Sequence, residues 1–187
     1  MADLIAQNPT KGRLPTTIGA LRLAEMRLTQ ITGLSPHAGE VAQTSTALRN
    51  AHGLDLPAPN RMAFDGDTTI LWTGRNRWLL IGPPPDHSLR AHAALSDQSD
   101  AWVGITVTGP AGPDVLARLT PLDLRAPNFA PGMALRSELF HMQTVFARPA
   151  PDQIIVMTFR SMAGTLIHDL TTAARAIHAR SQIQSTP

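Results

Sequence analysis

The chain has 187 residues, 43% of them hydrophobic, which suits one globular domain with a full core. Zero cysteines exclude disulfides, thiolate metal sites and cysteine nucleophiles. The net charge is only +2; the isoelectric point of about 10.3 reflects the absence of Tyr and Cys, so that almost nothing titrates between His and the strong bases. Of 16 basic residues only Lys11 is lysine, which fits either interface ion pairs or compositional bias, and no five basic residues run together. No nucleic-acid partner is expected. Residues 1–7 lack the basic and apolar regions of a signal peptide, and no apolar run reaches the ~18–20 residues that span a bilayer. The expectation is a cytoplasmic chain with no membrane partner.

Residues 1–19 are polar, broken by Pro9 and Pro15, and read as an extended arm that either frays or lies across a neighbour. Residues 20–31 read as a strand whose apolar phase slips between Leu23 and Met26, predicting a bulge. Ser35-Pro36 predicts a helix start, and Gly53 its stop, with Ala38, Val41, Ala42, Leu48 and Ala51 as the packing face. Beyond the Pro57/Pro59 loop, Asp65-Gly66-Asp67 is turn chemistry, and Thr69-Ile70-Leu71-Trp72 pairs with Trp78-Leu79-Leu80-Ile81 across Gly74-Arg75-Asn76. Gly82-Pro83-Pro84-Pro85 stops that strand, and a short helix is expected at 87–95.

In the second half, Val103, Ile105 and Val107 alternate with Gly104, Thr106 and Thr108 as a strand, and a glycine-proline turn leads into a helix bearing Val115, Leu116 and Leu119. Residues 134–147 and 153–159 read as a long hairpin about Pro149-Ala150-Pro151-Asp152, with 154–159 a central strand buried on two faces. Ser161 caps a helix whose Met162, Leu166, Leu170, Ala173, Ala174 and Ile177 form a 3.6-period stripe.

The two halves, 20–95 and 102–178, therefore repeat one plan. Ile31-Thr32-Gly33 matches Val107-Thr108-Gly109, Ala58-Pro59-Asn60 matches Ala126-Pro127-Asn128, and the hairpins end on Trp78-Leu79-Leu80-Ile81 and Ile154-Ile155-Val156-Met157. The expected fold is α+β: duplicated strand-helix-hairpin-helix halves forming one intertwined domain over 20–178, with an arm at 1–19 and a frayed tail at 179–187.

No catalytic constellation stands out. The turn after Val107 lacks both the Gly-x-Gly-x-x-Gly and the Gly-Lys-Ser/Thr spacing and serves as a helix start. The seven histidines include no i, i+4 pair, and His141 reads as a hydrogen-bonded strand residue. No Gly-x-Ser-x-Gly elbow presents a nucleophile. Asp97-Gln98-Ser99-Asp100 reads as a turn bonded to its own backbone, and Asp123 as a loop anchor. Catalytic, cofactor-binding and metal-binding residues are thus expected to be none.

In order along the chain, Leu71-Trp72-x-Gly74 to Trp78-Leu79-Leu80, Asp97-Gln98-Ser99, Val107-Thr108-Gly109-Pro110, Val115-Leu116, Pro121-Leu122-Asp123-Leu124 with Phe129, and Phe159-Arg160-Ser161 resemble the gamma subunit of heterotetrameric sarcosine oxidase. The match spans roughly 21–178. It departs at Thr120, where many relatives have Cys, and at Gly112-Pro113. That family in turn resembles the folate-binding domain of glycine-cleavage aminomethyltransferases, a duplicated α+β fold. The resemblance implies a non-catalytic structural subunit packed on alpha, beta and delta partners that oxidatively demethylate sarcosine to glycine. FAD, FMN, NAD, tetrahydrofolate and zinc would then reside in those partners, with no cofactor in this chain. The alternative is a folate-dependent aminomethyltransferase-like enzyme or folate-binding protein. Against it, residues 135–141 hold a single carboxylate, Glu138, and a chain without Cys and Tyr cannot carry the Lys-Gly-Cys-Tyr motif of the tRNA-modifying cousins. The expected subunit contacts are Trp72, Arg75, Arg77 and Trp78, since tryptophan and arginine most often anchor interfaces, although alternation places at least one tryptophan in the core. The arm and the proline loops at 57–60 and 83–85 are further contact candidates.

Overall fold

The structure, a computed structural model, describes residues 7–184. The strands are β1 (Thr16–Ile18), β2 (Leu21–Glu25), β3 (Ile31–Pro36), β4 (Met62–Asp65), β5 (Thr68–Gly74), β6 (Arg77–Ile81), β7 (Ala93–Asp97), β8 (Trp102–Thr108), β9 (Met133–Leu139), β10 (Met142–Ala150) and β11 (Gln153–Phe159). The helices are α1 (Val41–His52), α2 (Gly112–Leu116) and α3 (Ala163–Gln184). All strand pairs are antiparallel. One sheet runs β1-β2-β8-β11-β10-β9 and the other β4-β5-β6-β3-β7.

Successive residues of a strand face opposite ways, so each sheet has two faces to bury. Ile31, Leu71, Leu79 and Ile81 of one sheet meet Val145, Ala147, Ile155 and Met157 of the other in a layer between the sheets. Val103, Ile105, Val107, Phe146 and Val156 point the other way, onto Leu166, Leu170 and Ala174 of α3 and Val115 and Leu116 of α2. Leu34, Ile70, Trp78 and Leu80 face Leu48 of α1. The result is a helix–sheet–sheet–helix sandwich of the α+β class.

Two four-stranded units share one neighbour order, β3-β6-β5-β4 and β8-β11-β10-β9, and in each a helix lies between the first strand of that order and the last, β3–α1–β4 and β8–α2–β9. The sheets are also stitched by backbone: Met62 N–H donates to Gly132 O (2.9 Å) and Ala134 N–H to Asn60 O (3.1 Å), joining the two Ala-Pro-Asn loop regions. Strand β2 comes from the first half but pairs with β8 of the second. Gly109 ends β8 where the chain passes close to β2; a Cβ there would lie 2.4 Å from Ala20 O.

Several expectations change. The strand expected over 20–31 is two strands in different sheets, so Ile31-Thr32-Gly33 opens β3 whereas Val107-Thr108-Gly109 closes β8. Ser35-Pro36 pairs with Ala94 and Ala93 of β7 and starts no helix. Helix α1 begins after Glu40 and buries Thr44 and Leu48, while Val41, Ala42 and Ala51 are exposed. Residues 87–95 hold a short 3-10 turn (His87–Ala91) and then strand, not a closing helix. The hairpin expected between 134–147 and 153–159 does turn after Ala150, but its first arm is itself folded into two strands at Phe140 and His141, so His141 is an exposed turn residue. Met162 lies exposed ahead of α3, which continues through Gln184 where a frayed tail was expected. The arm packs on its own chain: Thr10 is buried, its Oγ1 donates to Glu25 Oε2 (2.6 Å), Leu14 joins the core, and residues 16–18 form an edge strand. Positions 1–6 of the arm and 185–187 of the tail lie outside the described residues. As expected, β11 is sandwiched between β8 and β10 with 154–158 buried, and Asp97 Oδ1 accepts from the Ser99 N–H (2.9 Å) and hydroxyl (2.6 Å).

The long loop between α2 and β9 is held by Arg148, a buried charge whose two terminal nitrogens donate to carbonyls while its Nε has no partner among the described residues. Its Nη1 donates to Leu124 O (3.3 Å) and Phe129 O (2.7 Å), its Nη2 to Pro151 O, and its guanidinium lies 5.9 Å from the Phe129 ring centroid. Arg148→Met keeps the side-chain length but leaves buried carbonyls unpaired. It should lower stability by about 3 kcal/mol, measured by denaturant unfolding.

In the same loop, Asp123 accepts from Arg125 Nε and Nη2 (both 2.8 Å) and from Asn128 Nδ2 (2.7 Å). The Arg125 hydrogen bonds, then that of Asn128, hold its carboxyl well below the ordinary carboxylate range. A depressed carboxyl stabilises the loop at every pH above its ordinary value and loses that contribution only as pH falls through the lowered one. Amide exchange at Arg125 should therefore stay slow into mildly acidic solution, and Asp123→Asn should speed it at neutral pH.

Candidate functional site: the two faces of the tryptophan hairpin

The hairpin β5–β6 turns at Arg75-Asn76, where Asn76 takes a positive φ of 55°. Trp72 pairs directly with Trp78, so both indoles stand on the outer face of the sheet, on the α1 side. Trp78 is 5% exposed and its indole N–H donates to Pro57 O at 2.9 Å; it fills the core and pins the proline loop. Trp72 is half-buried beside it. Together with Val41, Leu56, Pro57 and Arg75 they line a largely apolar groove of about 720 Å³ between α1 and the hairpin.

Arg77 does not join this surface. Its neighbours in sequence alternate, and it stands on the inner face with Leu79, at the mouth of the layer between the sheets. There, a smaller cleft of about 280 Å³ is lined by Arg77, Thr73 and Gly33 from one sheet and Arg136, Trp102 and Phe159 from the other, with Gln98 between. Arg136 Nη1 reaches across to donate to Thr73 O (3.2 Å), and the Thr73 hydroxyl donates to Arg77 O (3.3 Å). Trp102 and Phe159 pair across β8 and β11 with ring centroids 5.4 Å apart and planes tilted by 36°. The Trp102 indole N–H donates to Gln98 Oε1 (2.9 Å), and Gln98 Nε2 donates to Ser96 Oγ (3.1 Å). That places the Gln98 amide over Gly33, where any Cβ would sit 2.6 Å from its nitrogen.

The four expected contact residues are therefore brought close along the chain and divided in space. Trp72 and Arg75 remain on the outer groove, Trp78 is committed to the fold, and Arg77 belongs to the inner cleft with Arg136, which sequence reasoning did not single out. The period-two pattern of β9 could have paired Arg136 with the inner face, but only the sheet-on-sheet packing brings it to Arg77. Among the described residues no three His, Asp or Glu gather as a metal site, and no helix is long and apolar enough to cross a membrane. Trp78→Ala should cost about 3–5 kcal/mol in denaturant unfolding, as for a buried aromatic, and Trp72→Ala distinctly less.

No family model matches the chain, and no curated protein matches it. Among solved structures, the chain is similar to a chain of the heterotetrameric sarcosine oxidase from Corynebacterium sp. U-96, solved in complex with pyrrole 2-carboxylate. The TM-score is 0.79 and the identity 22%, over 92% of this chain and 96% of that one. A second likeness, to the ligand-free regulatory subunit of aspartate kinase from Thermus thermophilus, has a TM-score of 0.36 at 12% identity over 80% of this chain and 99% of that one, too slight to carry an argument. The chain thus has the fold of one chain of a heterotetrameric sarcosine oxidase.

Proposed function

We propose that this chain is a non-catalytic, gamma-type subunit of a heterotetrameric sarcosine oxidase complex in the cytoplasm. It would pack on alpha, beta and delta subunits that demethylate sarcosine oxidatively to glycine. The observation that carries this reading is the near end-to-end likeness in fold, 92% of this chain over 96% of the neighbour at a TM-score of 0.79. The ordered motifs from Trp72 to Arg160-Ser161 support the same assignment. FAD, FMN, NAD, tetrahydrofolate and zinc belong, on this reading, to the partner chains. The duplication of the two halves is part of the proposal, supported by the common strand order of the two four-stranded units.

The rival reading, a folate-dependent aminomethyltransferase, calls for paired acids in the second hairpin. Strand β9 carries one, Glu138, which is exposed and accepts a hydrogen bond from Gln143 Nε2 (3.3 Å). The outer groove is the contact surface in the proposed complex. Its half-buried Trp72 and exposed Arg75 are of the residue types that anchor interfaces.

Co-expression with alpha, beta and delta subunits should yield one stable complex, whereas the chain alone should show neither flavin absorbance nor turnover of sarcosine. Trp72→Ala with Arg75→Ala should leave the isolated chain folded by circular dichroism and weaken co-purification about tenfold or more. A complex that forms unchanged with the double variant would rule out this groove. A chain that co-purifies with no flavoprotein would end the subunit assignment.

A further inference from the structure

We propose that the inner cleft binds a small organic carboxylate with a flat apolar body, held by Arg77 and Arg136 against the Trp102–Phe159 pair. This is independent of the subunit reading and concerns the opposite face of the hairpin. Three observations carry it.

The first is charge. Two guanidinium groups from different sheets line one cleft, and among the described residues no carboxylate side chain lines it and neither arginine has an ion-pair partner. Arg136 uses one Nη1 bond on Thr73 O, which orients the group and leaves its remaining N–H groups for a ligand. A planar guanidinium fork matches a carboxylate through two parallel hydrogen bonds.

The second is the wall. At this end of the layer Thr73, Arg77 and Arg136 bring polar groups to the cleft, beside the apolar Leu79. Gly33 admits the Gln98 amide and the Ser96 hydroxyl close over its strand, while at Gly74 a Cβ would meet only Arg136 Nη1, at 3.9 Å. Trp102 and Phe159 also line the cleft, with Phe159 44% exposed, and their rings, tilted by 36° to each other, offer aromatic faces for an apolar ring to pack against.

The third is size. About 280 Å³ lies at the lower limit for ligand pockets, which suits a single-ring carboxylate. The Gln98 amide, held by Trp102 and Ser96, closes one side and offers one further N–H.

The test uses the full 187-residue chain, labelled with ¹⁵N, and benzoate as the probe. The indole N–H resonance of Trp102 should shift saturably with benzoate, while that of Trp72, on the outer face, should not. Benzamide, isosteric but neutral, and inorganic phosphate, charged but without a ring, should each bind at least about tenfold more weakly. Arg77→Gln and Arg136→Gln should each weaken benzoate binding about tenfold, and Arg136→Lys should not restore it, because the ammonium lacks the fork. The proposal is overturned if wild-type protein shows no saturable shift at Trp102, if benzamide or phosphate binds as well as benzoate, or if both folded glutamine variants bind it unchanged. The wild-type comparison decides the matter even should either variant fail to fold.

Discussion

The structure depends on the apolar layer between its two sheets. Ten buried side chains fill it, five from each sheet, and they come from both halves of the chain. Neither half can bury its inner face alone, because that face is half of a core. The outer faces of the sheets pack against α2 and α3 on one side and α1 on the other. Each sheet is therefore buried on both faces, which is why β11 and β6 read as almost unbroken apolar runs. Burial at roughly 25 cal/mol per Å² rewards this arrangement non-directionally, while the alternation of the strands decides which residue serves which layer.

Where the layer reaches the edge of the sandwich, the same alternation delivers polar groups to its mouth. Arg77 follows the turn of the tryptophan hairpin and points inward, while Trp78, one residue later, points outward. One hairpin thus contributes to two surfaces of different chemistry: a greasy groove under α1 and a cationic cleft between the sheets. Among the described residues neither arginine of the cleft is spent on a carboxylate, in contrast to Arg49, which is paired with Asp55 at 2.5 Å, and Arg125, paired with Asp123. Those two pairs are exposed loop clamps and add little to global stability.

Buried polarity elsewhere serves loop geometry. Arg148 replaces a counterion with the carbonyls of the α2–β9 loop, so the loop adopts one path over the sheet. The described part of the arm is treated likewise, with Thr10 bridging Asn8 and Glu25 and the guanidinium of Arg160 donating to the carbonyl of Gln7. These contacts turn long irregular segments into parts of the fold, since a buried backbone group without a partner would cost more than the ordering does.

The amino-acid sequence by itself determined the α+β class, the strand character of 69–72, 78–81, 103–108 and 154–159, the apolar stripe of α3 and the turn at Asp97. Each rests on local periodicity or on a side chain bonding its own backbone. It also carried the ordered motifs that point to a sarcosine oxidase-type chain. Tertiary structure alone decided the division of 20–31 into strands of different sheets, because a register break looks the same along the chain whether the strand bulges or changes partner. It decided that Ser35-Pro36 ends a strand, since pairing with β7 outweighs a local capping preference. It also separated Arg77 from Trp72 and Arg75 and set it beside Arg136, 59 positions away in the sequence. That juxtaposition is a product of sheet packing, and packing between distant strands leaves no periodic trace in a single chain.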